Sequence, residues 1–255
     1  FYTYISSMTY AMEACAENNK EFIVLDRPNP NGFYIDGPVL KDAFKSFLGL
    51  HPVPIVYGMT CGEYAKMVNS EGWMKNKVRC KLTVVPLKNY SRKSSYTLPF
   101  KPSPNIPNAT AVLLYPGMGL FEGSIISLGR GTDFPFQVIG HPDYKDTGFA
   151  FTPMAGPISK EPKYVNKRCF GLDLRTSVYL TKHPGKIDLG LVLKMYKSMA
   201  REDFFDANFN YHSGNDVLQK QIKSGVAEAD IRKSWEADLV AFKKIRKKYL
   251  IYQDF

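Results

Sequence analysis

An α/β fold built on a mostly parallel sheet is what this sequence predicts, and three observations predict it. Short apolar runs, Phe22-Ile23-Val24-Leu25, a stretch within 77–87 and Ala111-Val112-Leu113-Leu114-Tyr115, read as strands. Amphipathic helical patterns alternate with them, and each run ends in an irregular loop rich in Gly, Pro and Asn. Such alternation is the mark of parallel β-α units. The expected sheet therefore joins strands near 22–26, 78–86 and 111–115. The loops at 26–32 and 116–124 should open on one edge, where open α/β sheets bind their ligands.

Taken in order, Ile5, Met8, Met12, Cys15 and Ala16 recur at helical spacing, which predicts a helix over 4–18. The strand at 22–25 ends in Asp26-Arg27-Pro28-Asn29-Pro30-Asn31-Gly32, a polar loop stiffened by two prolines. Leu40, Ala43, Phe44 and Phe47 mark a short helix, and residues 52–58 are extended. Thr60 and Glu63 form a capping box for a helix that Gly72 ends. After the run at 77–87 a proline-rich connection passes through Asn105 to the apolar run at 111–115. Pro116 and Gly117 stop that run, and Gly119 and Gly123 free the backbone to turn. One carboxylate, Glu122, sits inside the loop, and Arg130 and His141 follow within about 20 residues. Glu122 equally suits the cap of a following helix.

Beyond Pro142 the pattern changes. Phe170, Leu172 and Leu174 alternate as in a half-buried strand, and helical patterns begin at Leu189 and at Asn215-Asp216. Ile231, Trp235, Leu239, Phe242, Ile245 and Tyr249 form the stripe of a final helix of about five turns. A smaller α+β domain should start between Gly148 and Lys163, dividing the chain into 1–150 and 151–255. The chain opens on Phe1-Tyr2-Thr3-Tyr4 and enters a helical pattern almost at once, which suggests an N-terminus further upstream. On that reading the strand at 22–26 has an open edge, and Met8 and Met12 are exposed.

With 255 residues the chain can bury a sizeable core, and its 44% apolar and 23% charged residues are ordinary for a globular protein. The net charge of +10 favours an anionic partner, but Lys243, Lys244, Arg246, Lys247 and Lys248 crowd the final helix and read as a solvated face. No nucleic-acid partner is expected. Cys15, Cys61, Cys80 and Cys169 show no C-x-x-C spacing, so neither a zinc ribbon nor a disulfide framework follows. His51, His141, His183 and His212 lack metal-ligand spacing, and no apolar run nears the ~20 residues that span a bilayer.

Gly117-x-Gly119-x-x-x-Gly123 invites a nucleotide-binding reading but matches poorly. The third glycine is one residue late, and Glu122 would lie beside a pyrophosphate. What remains is a carboxylate with Arg, Asn and aromatic residues, the equipment of a carbohydrate site, in a chain with 14% aromatic residues.

Several segments then carry a resemblance: FYTYIS at 1–6, LDRPNPNGFYIDGPVL at 25–40, PVPIVYGMTCGEYA at 52–65, PSPNIP at 102–107 and LYPGMGLFEGSIISLGRGTDFPFQVIGHP at 114–142. SGNDVLQKQIKSG and KKYLIY match near the C-terminal end. Across essentially the whole chain the sequence resembles the exo-acting β-N-acetylmuramidases, bacterial NamZ-type peptidoglycan hydrolases once known as a domain of unknown function. The resemblance implies a Rossmann-like domain with a smaller C-terminal domain and a cleft between them. It further implies cleavage of terminal N-acetylmuramic acid from the non-reducing end of peptidoglycan strands, a secreted or periplasmic location, and no metal or organic cofactor. MurNAc-GlcNAc oligosaccharides are the expected partners. Glu122 is the catalytic candidate. Arg27 or Arg130 is expected to meet the lactyl carboxylate, with Asp26, Asn29 and Asn105 on hydroxyl or acetamido groups, Tyr57 stacking on a ring, and His141 in the same site.

Two departures stand out. Family members carry a segment upstream of FYTYIS with a Glu-His-Gly motif whose glutamate is a leading catalytic candidate, and no such motif occurs in these 255 residues. Ser124 also replaces the Thr expected after Glu-Gly, which keeps the hydroxyl. Two other readings remain open at this point, a non-catalytic module that binds cell-wall muropeptide and a nucleotide-dependent enzyme using the Gly117 loop.

Overall fold

A computed structural model describes residues 2–93, 96, 98–146, 148–176 and 185–255. His183 falls outside them. The chain forms two compact units, Phe1–Tyr96 with Arg232–Phe255, and Thr97–Ile231. Each is a mixture of helices and short sheets.

The first unit opens with helix α1, Tyr4–Glu17, followed by β1, Glu21–Leu25. Then come β2, Asp36–Val39, and β3, Pro54–Val56, which pair antiparallel. Helix α2, Cys61–Ser70, starts on the expected capping box: Thr60 Oγ1 accepts from the Glu63 amide while Glu63 accepts from the Thr60 amide. β4, Lys81–Val85, lies parallel to β1 in register, from Glu21 opposite Lys81 to Leu25 opposite Val85. It is the one parallel pair among the described residues. Met12, Met59, Tyr64, Met67 and Val68 form the core of this unit. Met12 is completely buried, contrary to the expectation that it is exposed, because α1 packs against α2 and β1. Ile23, Leu25 and Val85 are exposed, while Val24 between the first two is buried, as strand alternation requires.

In the second unit, residues 111–115 are helical rather than a strand. They belong to α3, Ala109–Met118, whose N-cap Asn108 accepts from the Ala111 amide. A five-residue apolar run does not discriminate strand from buried helix, and the cap just before it decides the matter. A 3₁₀ turn, Gly119–Gly123, continues directly from α3. β5, Val138–His141, β6, Ala150–Phe151, and β7, Cys169–Asp173, form an antiparallel sheet in the order β5-β7-β6. The boundary expected at 150/151 would cut this sheet, because β5 lies before it and β7 after it. Helices α4, Leu189–Met199, α5, Phe209–Ser213, and α6, Val217–Lys223, complete the unit.

The expected final helix is two helices, α7, Glu228–Ser234, and α8, Glu236–Lys247, broken at Trp235. Its apolar stripe holds: Ile231, Trp235, Leu239 and Phe242 are buried. Its basic run is not wholly a solvated face. Arg246 is 2% exposed and clamps the C-terminal segment, donating to both carboxylate oxygens of Asp254 at 2.8 Å and to the Gly58 carbonyl at 2.7 and 3.1 Å.

Candidate functional site

In the second unit the site is built around Glu122. Leu120, Phe121 and Gly123 are buried, which leaves Glu122 as the partly open side chain of the turn. Gly123 presses flat onto α5: a Cβ there would stand 2.3 Å from Phe209 Cα. Backbone bonds fix the turn on both sides, from the Asp206 amide to the Gly123 carbonyl at 3.0 Å and from the Ile125 amide to the Phe204 carbonyl at 2.9 Å. Ser124 turns its hydroxyl inward onto the Phe121 carbonyl at 2.9 Å.

Arg130 stands between two glycines in the left-handed region, Gly129 at φ 70° and Gly131 at φ 80°, a conformation that side chains resist. The bend returns the guanidinium to the turn. Its Nη2 donates to Glu122 Oε1 at 2.7 Å, and its Cζ lies over the Phe136 ring, 4.8 Å from the centroid. Glu122 Oε2 receives no hydrogen bond from the described residues. The carboxylate is thus held by one oxygen and open at the other.

The loop between β6 and β7 supplies two further groups. Lys163 donates its ammonium to the Ser124 carbonyl and reaches the Glu122 carbonyl at 3.5 Å. Burial of that ammonium lowers its pKa, while Asp206 and Glu122 pull the other way. Tyr164 donates its hydroxyl to the Ile125 carbonyl at 2.7 Å. Its ring meets His141 edge-on, with centroids 4.7 Å apart. His141 is buried, and its Nδ1 accepts from the Asp143 amide at 3.0 Å. Burial depresses its pKa, with Asp143 opposing. His141 therefore reaches the 122–125 segment only through Tyr164. Asn105 lies half-buried in the turn bridged by Ser103 and Ile106, with its side-chain amide unbonded among the described residues.

The remaining candidates lie in the first unit, where loops leave the carboxyl ends of parallel β1 and β4. Asp26 accepts four bonds: from the Arg27 amide at 2.9 Å, Thr60 Oγ1 at 2.7 Å, the Gly62 amide at 2.8 Å and Tyr252 Oη at 2.7 Å. A carboxylate offers about four such positions, so Asp26 is spent on the fold rather than on sugar hydroxyls. Asn29 is spent likewise, donating to the Met59 carbonyl at 2.8 Å and accepting from the Asn31 amide at 2.9 Å. Tyr57 packs against Tyr64, centroids 5.2 Å apart, and burial raises its pKa. Arg27 differs from all of these. It is exposed, and no hydrogen bond or ion pair among the described residues occupies its guanidinium.

Beside Asp26 lies a buried ion pair that the sequence did not disclose. Glu63, completely buried, accepts from Arg92 at 2.5 Å and from the Ile251 amide at 2.8 Å. The capping box signalled Glu63; nothing in the sequence signalled Arg92, Lys163, Tyr164 or Asp206. No group of three or more His, Cys, Asp or Glu among the described residues is placed to hold a metal ion. Gly117 lies inside α3, so the strand-loop-helix cradle that a nucleotide reading needs is absent here.

An accessible carboxylate oxygen beside a held one can move a proton or meet a developing positive charge, the work required at a glycosidic bond. Residues 1–110 match the family model of the N-terminal domain, and residues 113–252 that of the C-terminal domain, of the exo-β-N-acetylmuramidase NamZ. The peptidoglycan β-N-acetylmuramidase NamZ of Bacillus subtilis (strain 168) is 39% identical over 280 residues, covering 99% of this chain. The chain spans 64% of that relative's length. A DUF1343 family protein of Bacteroides fragilis NCTC 9343 is similar over the whole chain and 72% of its own, with 44% identity and a TM-score of 0.95. A second DUF1343 protein of the same strain has 29% identity and a TM-score of 0.79 over 98% of this chain and 71% of its own. The chain belongs to the family of the exo-β-N-acetylmuramidase NamZ.

Proposed function

We propose that this protein is a glycoside hydrolase of peptidoglycan that releases terminal N-acetylmuramic acid from the non-reducing end of MurNAc-GlcNAc oligosaccharides. The observation that carries the reading is Glu122, one oxygen held by Arg130 and the other open, in a chain of the NamZ family. Glu122 serves the reacting bond directly, and Arg130 orients it. Asn105 offers its unbonded amide to the acetamido or hydroxyl groups. The parallel β1–β4 pair is read as part of a Rossmann-like sheet. Because the proposed substrate is cell-wall material, the protein is read as one of the cell envelope, secreted or periplasmic. Incubating the intact protein with MurNAc-GlcNAc and separating the products tests the reading. Free MurNAc and GlcNAc are expected; binding without cleavage would make the protein a muropeptide-binding module instead.

A further inference from the structure

The 152–168 loop between β6 and β7 carries no regular structure beyond turns and bends, yet it grips the Glu122 segment at successive points. The Met154 amide donates to the Gly131 carbonyl at 2.8 Å, next to Arg130. A Cβ on Gly131 would stand 2.7 Å from the Pro162 ring, so the loop lies directly on the chain there. Lys163 bonds the carbonyl of Ser124 and reaches that of Glu122, and Tyr164 bonds the carbonyl of Ile125. These carbonyls belong to the last residues of the 3₁₀ turn and the strand-like segment just after it. A cation is favoured at such a carbonyl-rich end. Lys163 is exposed overall, so the side chain adds little to the core and its bonds to the carbonyls are what the turn receives.

We propose that Lys163 is a positioning residue for Glu122: its ammonium pins the end of the turn that carries Glu122, whose carboxylate Arg130 holds. The inference rests on Glu122 being the reacting carboxylate. The charged groups around Lys163 are Glu122, Asp206 and Arg130. Asp206 offsets part of the local positive charge, and it is tied to the same turn through its amide bond to Gly123. Lys163 thus acts by geometry, through the carbonyls. Removing the ammonium loosens the turn.

Lys163→Met in the intact protein tests this, with Lys163→Arg as the conservative variant. For Lys163→Met the expected result is a fall in kcat of about tenfold with KM nearly unchanged. Lys163→Arg should restore most of the lost kcat. Wild-type kcat in Lys163→Met overturns the proposal, and so does a rise in KM with kcat unchanged. Hydrogen exchange at the Ile125 and Asp206 amides, which tie the turn to its neighbours, gives a readout independent of turnover, and it should quicken in Lys163→Met. If Glu122→Gln proves fully active while that exchange still quickens, the catalytic reading fails and the tie of Lys163 to the turn stands.

Discussion

Glu122 and Arg130 are joined by one hydrogen bond of 2.7 Å, from Nη2 to Oε1, and the Cζ of the same guanidinium lies over the Phe136 ring, 4.8 Å from its centroid. The ring supports the fork, the fork holds one carboxylate oxygen, and the second oxygen is left open.

Arg130→Lys loses the guanidinium that lies over Phe136, and kcat should fall about tenfold with KM little changed. Steady-state kinetics on MurNAc-GlcNAc measure both, and a wild-type kcat would show that Arg130 does not hold a reacting carboxylate.

Gly123→Ala places a methyl group 2.3 Å from the Phe209 Cα, an atom of backbone that a rotamer change does not move. The turn or α5 has to shift, at a cost of at least about 2 kcal/mol. Denaturant unfolding should show the loss, and turnover should fall with it because Glu122 is the preceding residue.

The Glu63–Arg92 pair is buried at both ends, so removing either partner strands a charge. Arg92→Met should destabilise the protein by about 3–5 kcal/mol. The Glu71–Lys248 pair, with Lys248 mostly exposed, offers the contrast. Lys248→Met should change stability by less than about 1 kcal/mol. Urea midpoints at one pH measure both; similar effects would mean that the Glu63 site admits water.

His51 gives a pH dependence whose sign follows from its burial. The Thr9 hydroxyl donates to the Ile5 carbonyl at 3.0 Å, which makes His51 Nε2 the donor in its 3.1 Å bond to Thr9. Burial, then the charge of Lys45, lowers the His51 pKa from 6.5 to about 4. Below pH 6.5 the unfolded chain takes up a proton that the folded chain refuses. Stability from this group is full above pH 6.5, declines as pH falls, and levels off below about 4, for a total of about 3 kcal/mol. Urea unfolding at pH 7 and pH 4.5 should show most of that loss, and His51→Gln should shrink the difference between the two pH values.

Much of the fold was legible where a local signal was complete. The Thr60–Glu63 box announced α2, and the spacing of Met8 and Met12 announced α1. Residues 111–115 were misread because their apolar run fits strand and helix alike, and the deciding cap at Asn108 lay outside it. Arg246 was hidden in a basic run because only the return of Asp254 and Gly58 around it makes burial of that charge tolerable. Glu122 and Arg130 were visible as chemistry in one motif, and the glycines flanking Arg130 were visible as a bend. Lys163 and Asp206 were not visible, because they reach the turn from loops without periodicity, far along the chain. Asp26 and Asn29 looked like ligand groups for a physical reason: residues that bond a sugar are the same types that bond a loop.

The central claim is that Glu122 does the chemistry. It is tested most directly by the turnover of MurNAc-GlcNAc in Glu122→Gln, which keeps the shape of the side chain and removes its charge. The account predicts a fall in kcat of at least about a hundredfold with an unchanged melting curve. Release of MurNAc at the wild-type rate by a folded Glu122→Gln protein would contradict it and reduce the Glu122–Arg130 pair to a structural tie.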